Sequence, residues 1–283
     1  MERKYIIYTA SGIKVDVVEA KSDTTHDIEL AVLGEKEFSK HPFSWYTDAE
    51  LIAQGFEEIA KVSGSLFFNE GTSSYANGIE KAYGVVHEND DAAWDNNGAF
   101  YIKNGIPYIY TQAYVKKVIN DPSIRGAITA AFTLVNNGNI DISEAKVGQP
   151  SRQIYLQKSG RTIVGKRADN TIVLATFDGV TGSSGLTGYE TAIFARDVLK
   201  LRNAVCMDGG GSTFLSYKGT VYNGSSREGV NAIAIYARRK TSEQSWIGTK
   251  VRLDTFTITD YFQGKVFLKE LNIWVDETAV TKV

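Results

Sequence analysis

Three consecutive glycines, in Met207-Asp208-Gly209-Gly210-Gly211-Ser212, stand between two short apolar runs at residues 204–207 and 213–217. No helix tolerates such a run, because each glycine gives up backbone entropy and returns no packing. The stretch therefore reads as a loop joining strands, either where the backbone approaches something closely or where its N–H groups form a concave nest for an anion. A P-loop is excluded, since no Gly-Lys-Ser/Thr follows. The dinucleotide fingerprint is excluded as well, since a strand rather than a helix comes next. Two readings stay open: a glycine-rich hairpin in which Asp208 bonds its own turn, and a loop that faces a ligand.

The neighbouring sequence supplies strands on both sides of this loop. Residues 161–166 and 171–177 read as strands around the turn Ala168-Asp169-Asn170, and 230–236 reads as another. A Gly/Ser/Thr-rich loop at 178–186 leads to Thr187-Gly188-Tyr189-Glu190, a capping box. The helix it opens is expected to turn Tyr189, Ala192, Ile193, Ala195 and Leu199 inward, with Asn203 capping its end. Upstream, residues 4–19 suggest two strands about Ser11-Gly12. Thr47 and Glu50 suggest a second capping box, opening a helix over 48–61. Residues 65–68 read as a short strand, and Asn104-Gly105 and Asn137-Gly138 as hairpin turns. Residues 70–95 read as a long polar loop carrying the acidic run Glu88-Asn89-Asp90-Asp91. After residue 240 a polar linker (241–245) gives way to strand signal at 251–259 and 266–275. The chain thus divides into a catalytic domain, 1–240, and a β extension, 241–283, suited to attachment or oligomerisation.

Composition removes several functions. With 31 Lys+Arg against 33 Asp+Glu, the chain lacks the basic surplus that neutralising nucleic-acid phosphates demands, so no nucleic-acid partner is expected. No apolar run approaches the ~20 residues of a membrane helix, and no membrane partner is expected. The charged start, Met1-Glu2-Arg3-Lys4, carries no long apolar stretch and reads as having no signal peptide, which points to a cytoplasmic or virion-associated protein. One cysteine, Cys206, rules out an internal disulfide and a cysteine-rich metal site, and it reads as a core residue. Three scattered histidines argue against a zinc hydrolase.

Several motifs in succession resemble the phosphodiester glycosidase family. They are Arg161-Thr162-Ile163-Val164-Gly165, Phe177-Asp178-Gly179, Asp208-Gly209-Gly210-Gly211-Ser212 and Arg227-Glu228-Gly229-Val230-Asn231-Ala232-Ile233, with Gly64-Ser65-Leu66-Phe67-Phe68-Asn69 as a looser match. The similarity is strong over residues 161–236 and weaker over 62–135. The resemblance implies an α+β fold, with a mixed or antiparallel sheet core and a few packed helices, and it implies hydrolysis of a sugar-1-phosphodiester. Related modules in bacteria and phage suggest a glycopolymer such as teichoic acid as substrate, and homo-oligomer or virion assembly through the extension.

The residues can be assigned to that chemistry. Arg161 and Arg227 are candidates to grip the phosphate bidentately, with the Gly209, Gly210 and Gly211 amides, Ser212, Asn231 and Asn69 as further ligands. Asp208, Asp178 and Glu190 are the candidate carboxylates for acid, base or nucleophile at the anomeric carbon. Each has a plainer reading: Glu190 as a helix cap, Asp178 as turn chemistry, the arginines as surface residues and Asn69 as a strand end. Asn231 sits inside an apolar strand, where an amide requires partners. No histidine is placed to act with Ser212 in a triad. Aromatic residues around Tyr75, Tyr83, Trp94, Phe100 and Tyr101 read as sugar-stacking faces or as packing. No metal and no cofactor are assigned, with a divalent cation on the acidic loop left open. A non-catalytic carbohydrate-binding or virion structural protein, and a phosphodiesterase cutting P–O, remain as alternatives.

Overall fold

The computed structural model describes residues 2–35, 39–70, 73–88, 92–146, 148–225 and 227–240, and three further strands of the C-terminal region. It divides into two compact units, Met1–Thr241 and Ser242–Val283.

Among the described residues, three larger antiparallel sheets and the two-stranded hairpin Phe67–Glu70/Ser73–Ala76 build the first unit. The largest has seven strands in the order Glu2–Tyr8, Lys14–Ala20, Ile172–Phe177, Arg161–Lys166, Asn203–Cys206, Phe132–Asn136, Asn139–Ile140. A five-stranded sheet runs Thr220–Asn223, Leu215–Tyr217, Glu57–Ser63, Asn231–Arg239, His26–Gly34. A second runs Ile106–Thr111, Gly98–Lys103, Ile124–Thr129, Glu80–Ala82, Val85–Glu88. Val164, Leu174 and Val205 of the first sheet, Val32, Val62 and Ile233 of the second, and Phe100 and Ile128 of the third meet in one core. Each sheet also covers its outer face. Ile163, Val173 and Ala175 pack under a helix through Ala192, Phe194 and Ala195, and Ala232, Ala234 and Tyr236 pack on Phe43, Tyr46 and Leu51. Burial on both faces explains why these strands read as unbroken apolar runs rather than alternating ones.

Among the described residues, four short α-helices complete the unit: α1 (Ala49–Ala53), α2 (Gln112–Val118), α3 (Arg152–Leu156) and α4 (Gly188–Asp197). The second unit is a three-stranded antiparallel sheet, Ile258–Phe262, Lys265–Leu268 and Ile273–Asp276. The expected linker at 241–245 and residues 251–257 of the expected strand lie outside the described residues.

The helix expected over 48–61 is the main misreading. Only Ala49–Ala53 is helical, and it is capped by the Asp48 carboxylate on the Leu51 amide rather than by Thr47. Gly55 then turns the chain at φ +82°. Residues Glu57–Ser63 form a strand, because Asn231–Arg239 and Leu215–Tyr217 pair with both of its edges. Tertiary pairing overrides the local 3.6-residue pattern there.

The expected loop over 70–95 also corrects. It carries three strands, Ser73–Ala76, Glu80–Ala82 and Val85–Glu88. Charged Glu80 and Lys81 disguised the central one, and both are buried. Asn89, Asp90 and Asp91 lie outside the described residues. On α4, Tyr189 and Ile193 face outward, while Thr191, Ala192, Phe194 and Ala195 face in. Asn203 does not cap this helix: the chain leaves it through Lys200 at φ +58°, and Asn203 opens a strand opposite Lys166.

Candidate functional site

The strands ending at Cys206 and Ser63 and those beginning at Arg161 and Asn231 place their connecting segments at one end of the sheets. Met207 donates its amide to Thr162, and Asp208 donates its amide to the Gly64 carbonyl at 2.9 Å. The Ser63 hydroxyl donates to the Asp208 carbonyl at 2.9 Å and meets the Thr162 hydroxyl at 2.9 Å. The Asp208 backbone, running on from Asn203–Cys206, is thus held at both its amide and its carbonyl by the end of Glu57–Ser63. Its carboxyl accepts the Gly209 amide at 2.8 Å, the own-turn bond that the hairpin reading anticipates.

That bond does not offset the cost of burying the charge. Burial pushes the Asp208 carboxyl up to about 6, against the opposing pull of Ser212, the Gly209 amide and the Arg227 charge. A buried carboxyl whose pKa is pushed up in this way, with a cation beside it, can take part in proton transfer or nucleophilic attack.

The glycine loop does not form the open amide nest. The Gly209 amide is taken by Asp208, that of Gly210 by the Gly160 carbonyl and that of Ser212 by the Gly209 carbonyl. Its glycines serve close approach instead. A Cβ on Gly209 would lie 2.5 Å from the Gly160 oxygen, and one on Gly210 2.4 Å from the Thr181 hydroxyl. On Gly211 it would lie 2.8 Å from the Arg227 Nε. Three loops therefore converge here: 159–160, 179–185 and 209–212. Ser159 and Thr181 hydroxyls meet at 3.0 Å beside Gly210, and the Arg227 guanidinium lies exposed against Gly211.

Asn231 joins the same end. Its Oδ1 accepts the Ser65 amide at 2.8 Å, and its Nδ2 donates to Ser65 Oγ at 2.9 Å and to Glu80. Gly64 must be glycine for this contact, as a Cβ would sit 1.9 Å from Asn231 Oδ1. Glu80, buried, meets His87 Nδ1 at 3.1 Å through its other oxygen. The polar strip Asp208–Gly64–Ser65–Asn231–Glu80–His87 is thus continuous. Sequence reading missed Glu80, His87, Ser63 and Ser65. A buried glutamate in a three-residue strand leaves no local pattern, and only its long-range bond to Asn231 exposes it.

The other expected ligands fall elsewhere. Arg161 is buried, and its Nε donates to the Leu186 carbonyl while its Nη2 donates to those of Ile154 and Gln157. It ties α3 and the 178–186 loop to the sheet rather than presenting itself to a ligand. Glu190 closes a complete capping box with Thr187, whose amide donates to it at 2.8 Å. Asp178 is exposed and accepts from Asn223 at 3.0 Å. Asn69 lies exposed in the hairpin Phe67–Glu70/Ser73–Ala76 and accepts from Ser74 at 2.7 Å. Cys206 is buried in the core. Among the described residues, no group of three His, Cys, Asp or Glu side chains is arranged to hold a metal ion.

A carboxyl raised by burial, several hydroxyls and an exposed guanidinium gather where the sheet ends meet. The chain belongs to the phosphodiester glycosidase family, whose model matches residues 56–236, and is a hydrolase acting on phosphodiester-linked sugars. The fold is that of the zebrafish N-acetylglucosamine-1-phosphodiester alpha-N-acetylglucosaminidase catalytic domain, a structure auto-inhibited by its pro-peptide. The TM-score is 0.61 at 17% identity, covering 83% of this chain and 82% of that one. A hypothetical protein from Synechocystis is similar at TM-score 0.60 and 14% identity, where 83% of this chain spans 61% of the other. No curated protein sequence matches significantly.

Proposed function

We propose that the chain cleaves the bond between a sugar C1 and the oxygen of a phosphodiester, with Asp208 as base or nucleophile. The observation that carries this is the Asp208 carboxyl, raised to about 6 by burial and set beside Arg227. Ionised, it accepts a proton from water attacking C1, or attacks C1 itself and is later released by water. The C1–O electron pair departs with the phosphate. That leaving group is already anionic, so it needs charge stabilisation more than protonation. Arg227, with the hydroxyls of Ser159 and Thr181, supplies it. Glu80, held by Asn231 and His87, is the second carboxylate of the site and takes the place that sequence reading gave to Asp178 and Glu190.

The reading extends to a cell-surface glycopolymer such as teichoic acid as the natural substrate. The C-terminal three-stranded unit is then an attachment or self-association module, as in a phage tail. Its support is architectural: a compact β unit separate from the catalytic one.

Hydrolysis of UDP-N-acetylglucosamine in heavy-oxygen water tests the chemistry. Label in the released sugar is expected. Label confined to the phosphate would replace the glycosidase reading with P–O cleavage.

A further inference from the structure

The short turn Phe43–Trp45 lies on the outer face of the sheet that contains Asn231–Arg239, and its two aromatic residues are used differently. Phe43 goes into the core, its ring 5.5 Å from that of Phe214, and packs so closely on Gly229 that a Cβ there would sit 2.3 Å from it. Trp45 stays outside, 53% exposed. A single exposed aromatic needs no explanation by itself, but this one is fixed in place. Its ring is stacked on that of His41, with 3.8 Å between centres and 16° between planes, and buried Tyr46 meets it at 90° and 5.2 Å. The His41 Nε2 is in turn held by Glu35 at 2.6 Å. With the imidazole covering one face of the indole, an exposure above one half leaves the opposite face open.

Backbone bonds tie this platform to the reaction site. His41 and Gly229 exchange amide and carbonyl in both directions at 3.0 Å. Gly229 follows Arg227 by two residues, and the Arg227 guanidinium lies against Gly211 in the Asp208 loop. Contacts and chain therefore lead from Asp208 through Gly211, Arg227 and Gly229 to His41 and Trp45. A phosphodiester has the same order: the carbon to be cleaved, the phosphate, and the group on the second ester oxygen. Asp208 serves the first and Arg227 the second, so the third falls on the side of Trp45. A pyranose ring has a flat C–H face and a rim of hydroxyls, matched by an open aromatic plane with polar groups at its edge. Glu35 and His41, both partly exposed, supply those groups.

We propose that Trp45, backed by His41 and Glu35, is the subsite for the leaving-group side of the substrate. It binds a pyranose esterified to the far oxygen of the phosphate, and so selects phosphodiesters that bridge two sugars over those that end in a small alkyl group. The inference rests on the proposed cleavage at Asp208. Trp45 touches neither the anomeric carbon nor the bond that breaks; it sets which diester is held there.

Hydrolysis of poly(N-acetylglucosamine-1-phosphate) and of the methyl diester of N-acetylglucosamine-1-phosphate, paired with calorimetric titration of the polymer, tests this. In wild type, kcat/KM favours the polymer linkage. In a folded Trp45→Ala variant that preference falls about tenfold, the order of one lost stacking contact, and the polymer Kd rises by a similar factor. Trp45→Phe, which keeps a ring, retains most of both. A merely structural role lowers kcat/KM on the two diesters together, so an unchanged preference in folded Trp45→Ala would overturn the proposal. A preference lost only for UDP-N-acetylglucosamine over the methyl diester would overturn the pyranose and give the indole to a nucleobase. If no form hydrolyses any diester, the catalytic reading falls and the titration decides alone. Weaker polymer binding by Trp45→Ala then upholds a pyranose site at the indole; equal binding, or none by wild type, overturns it.

Discussion

Asp208 and Glu190 are both carboxylates in glycine-containing turns, and folding treats them in opposite ways. Glu190 accepts hydrogen bonds from the Thr187 amide and hydroxyl at the start of α4, which hold its pKa below the usual carboxylate range. Asp208 is buried where three loops close, and its pKa rises. The first carboxylate is consumed by the secondary structure that positions it. The second is supported through its backbone, by Ser63 and Gly64, and its charge is left costly. That difference is what singles out Asp208, rather than Glu190, for the proposed reaction.

The largest expected effect is on the Asp208 side. Asp208→Asn abolishes turnover of sugar-1-phosphodiesters, with a fall of about a thousandfold or more, as for loss of a nucleophile or base, measured as sugar release. The same substitution should not cost stability at neutral pH. A folded pKa raised to about 6 from 3.8 means the native state binds a proton more tightly than the unfolded chain. Stability therefore falls as pH rises from about 4 to about 6, and up to ~3 kcal/mol is forgone above that window. Asp208→Asn should unfold at higher urea than wild type at pH 8, and lose that advantage at pH 4.

The two arginines sharpen the comparison next. Arg161→Met removes the donor from three carbonyls, that of Leu186 buried and those of Ile154 and Gln157 partly buried, and should lower unfolding stability by about 2 kcal/mol, with any lost activity tracking lost folded protein. Arg227→Met should leave the urea midpoint in place and reduce kcat/KM by about 10- to 100-fold, the range for one charge-assisted contact to a developing anion. The reverse pattern would exchange their roles. The pH dependence is subtler: kcat/KM should rise with pH through about 6 as Asp208 ionises. A fall through that value would make it the acid. Smallest is Glu190→Gln, expected to cost about 0.5–1 kcal/mol of stability through half a capping box and nothing in turnover. Because the folded pKa of Glu190 is depressed, its stabilisation is present at neutral pH and disappears as pH drops through that value.

Legibility in the sequence followed how local each cause is. The α4 capping box, the Asn104-Gly105 and Asn137-Gly138 turns and the strands flanking residue 208 depend on neighbouring residues, and all were readable. The strand Glu57–Ser63 was not, since pairing with residues 215–217 and 231–239 decides it. The site divides the same way. Asp208 announced itself through its glycines, and Asn231 through polarity inside an apolar strand. Glu80 depends on a bond across 151 residues of chain. Arg161 showed the converse: its motif was visible, but only the fold reveals that its donors face carbonyls.

The most direct test of the account is sugar release from UDP-N-acetylglucosamine by wild type, Asp208→Asn and Glu190→Gln, each verified as folded. The account predicts turnover in wild type and Glu190→Gln and none in Asp208→Asn. Turnover that survives Asp208→Asn and vanishes with Glu190→Gln would contradict it, and would move the chemistry to the start of α4.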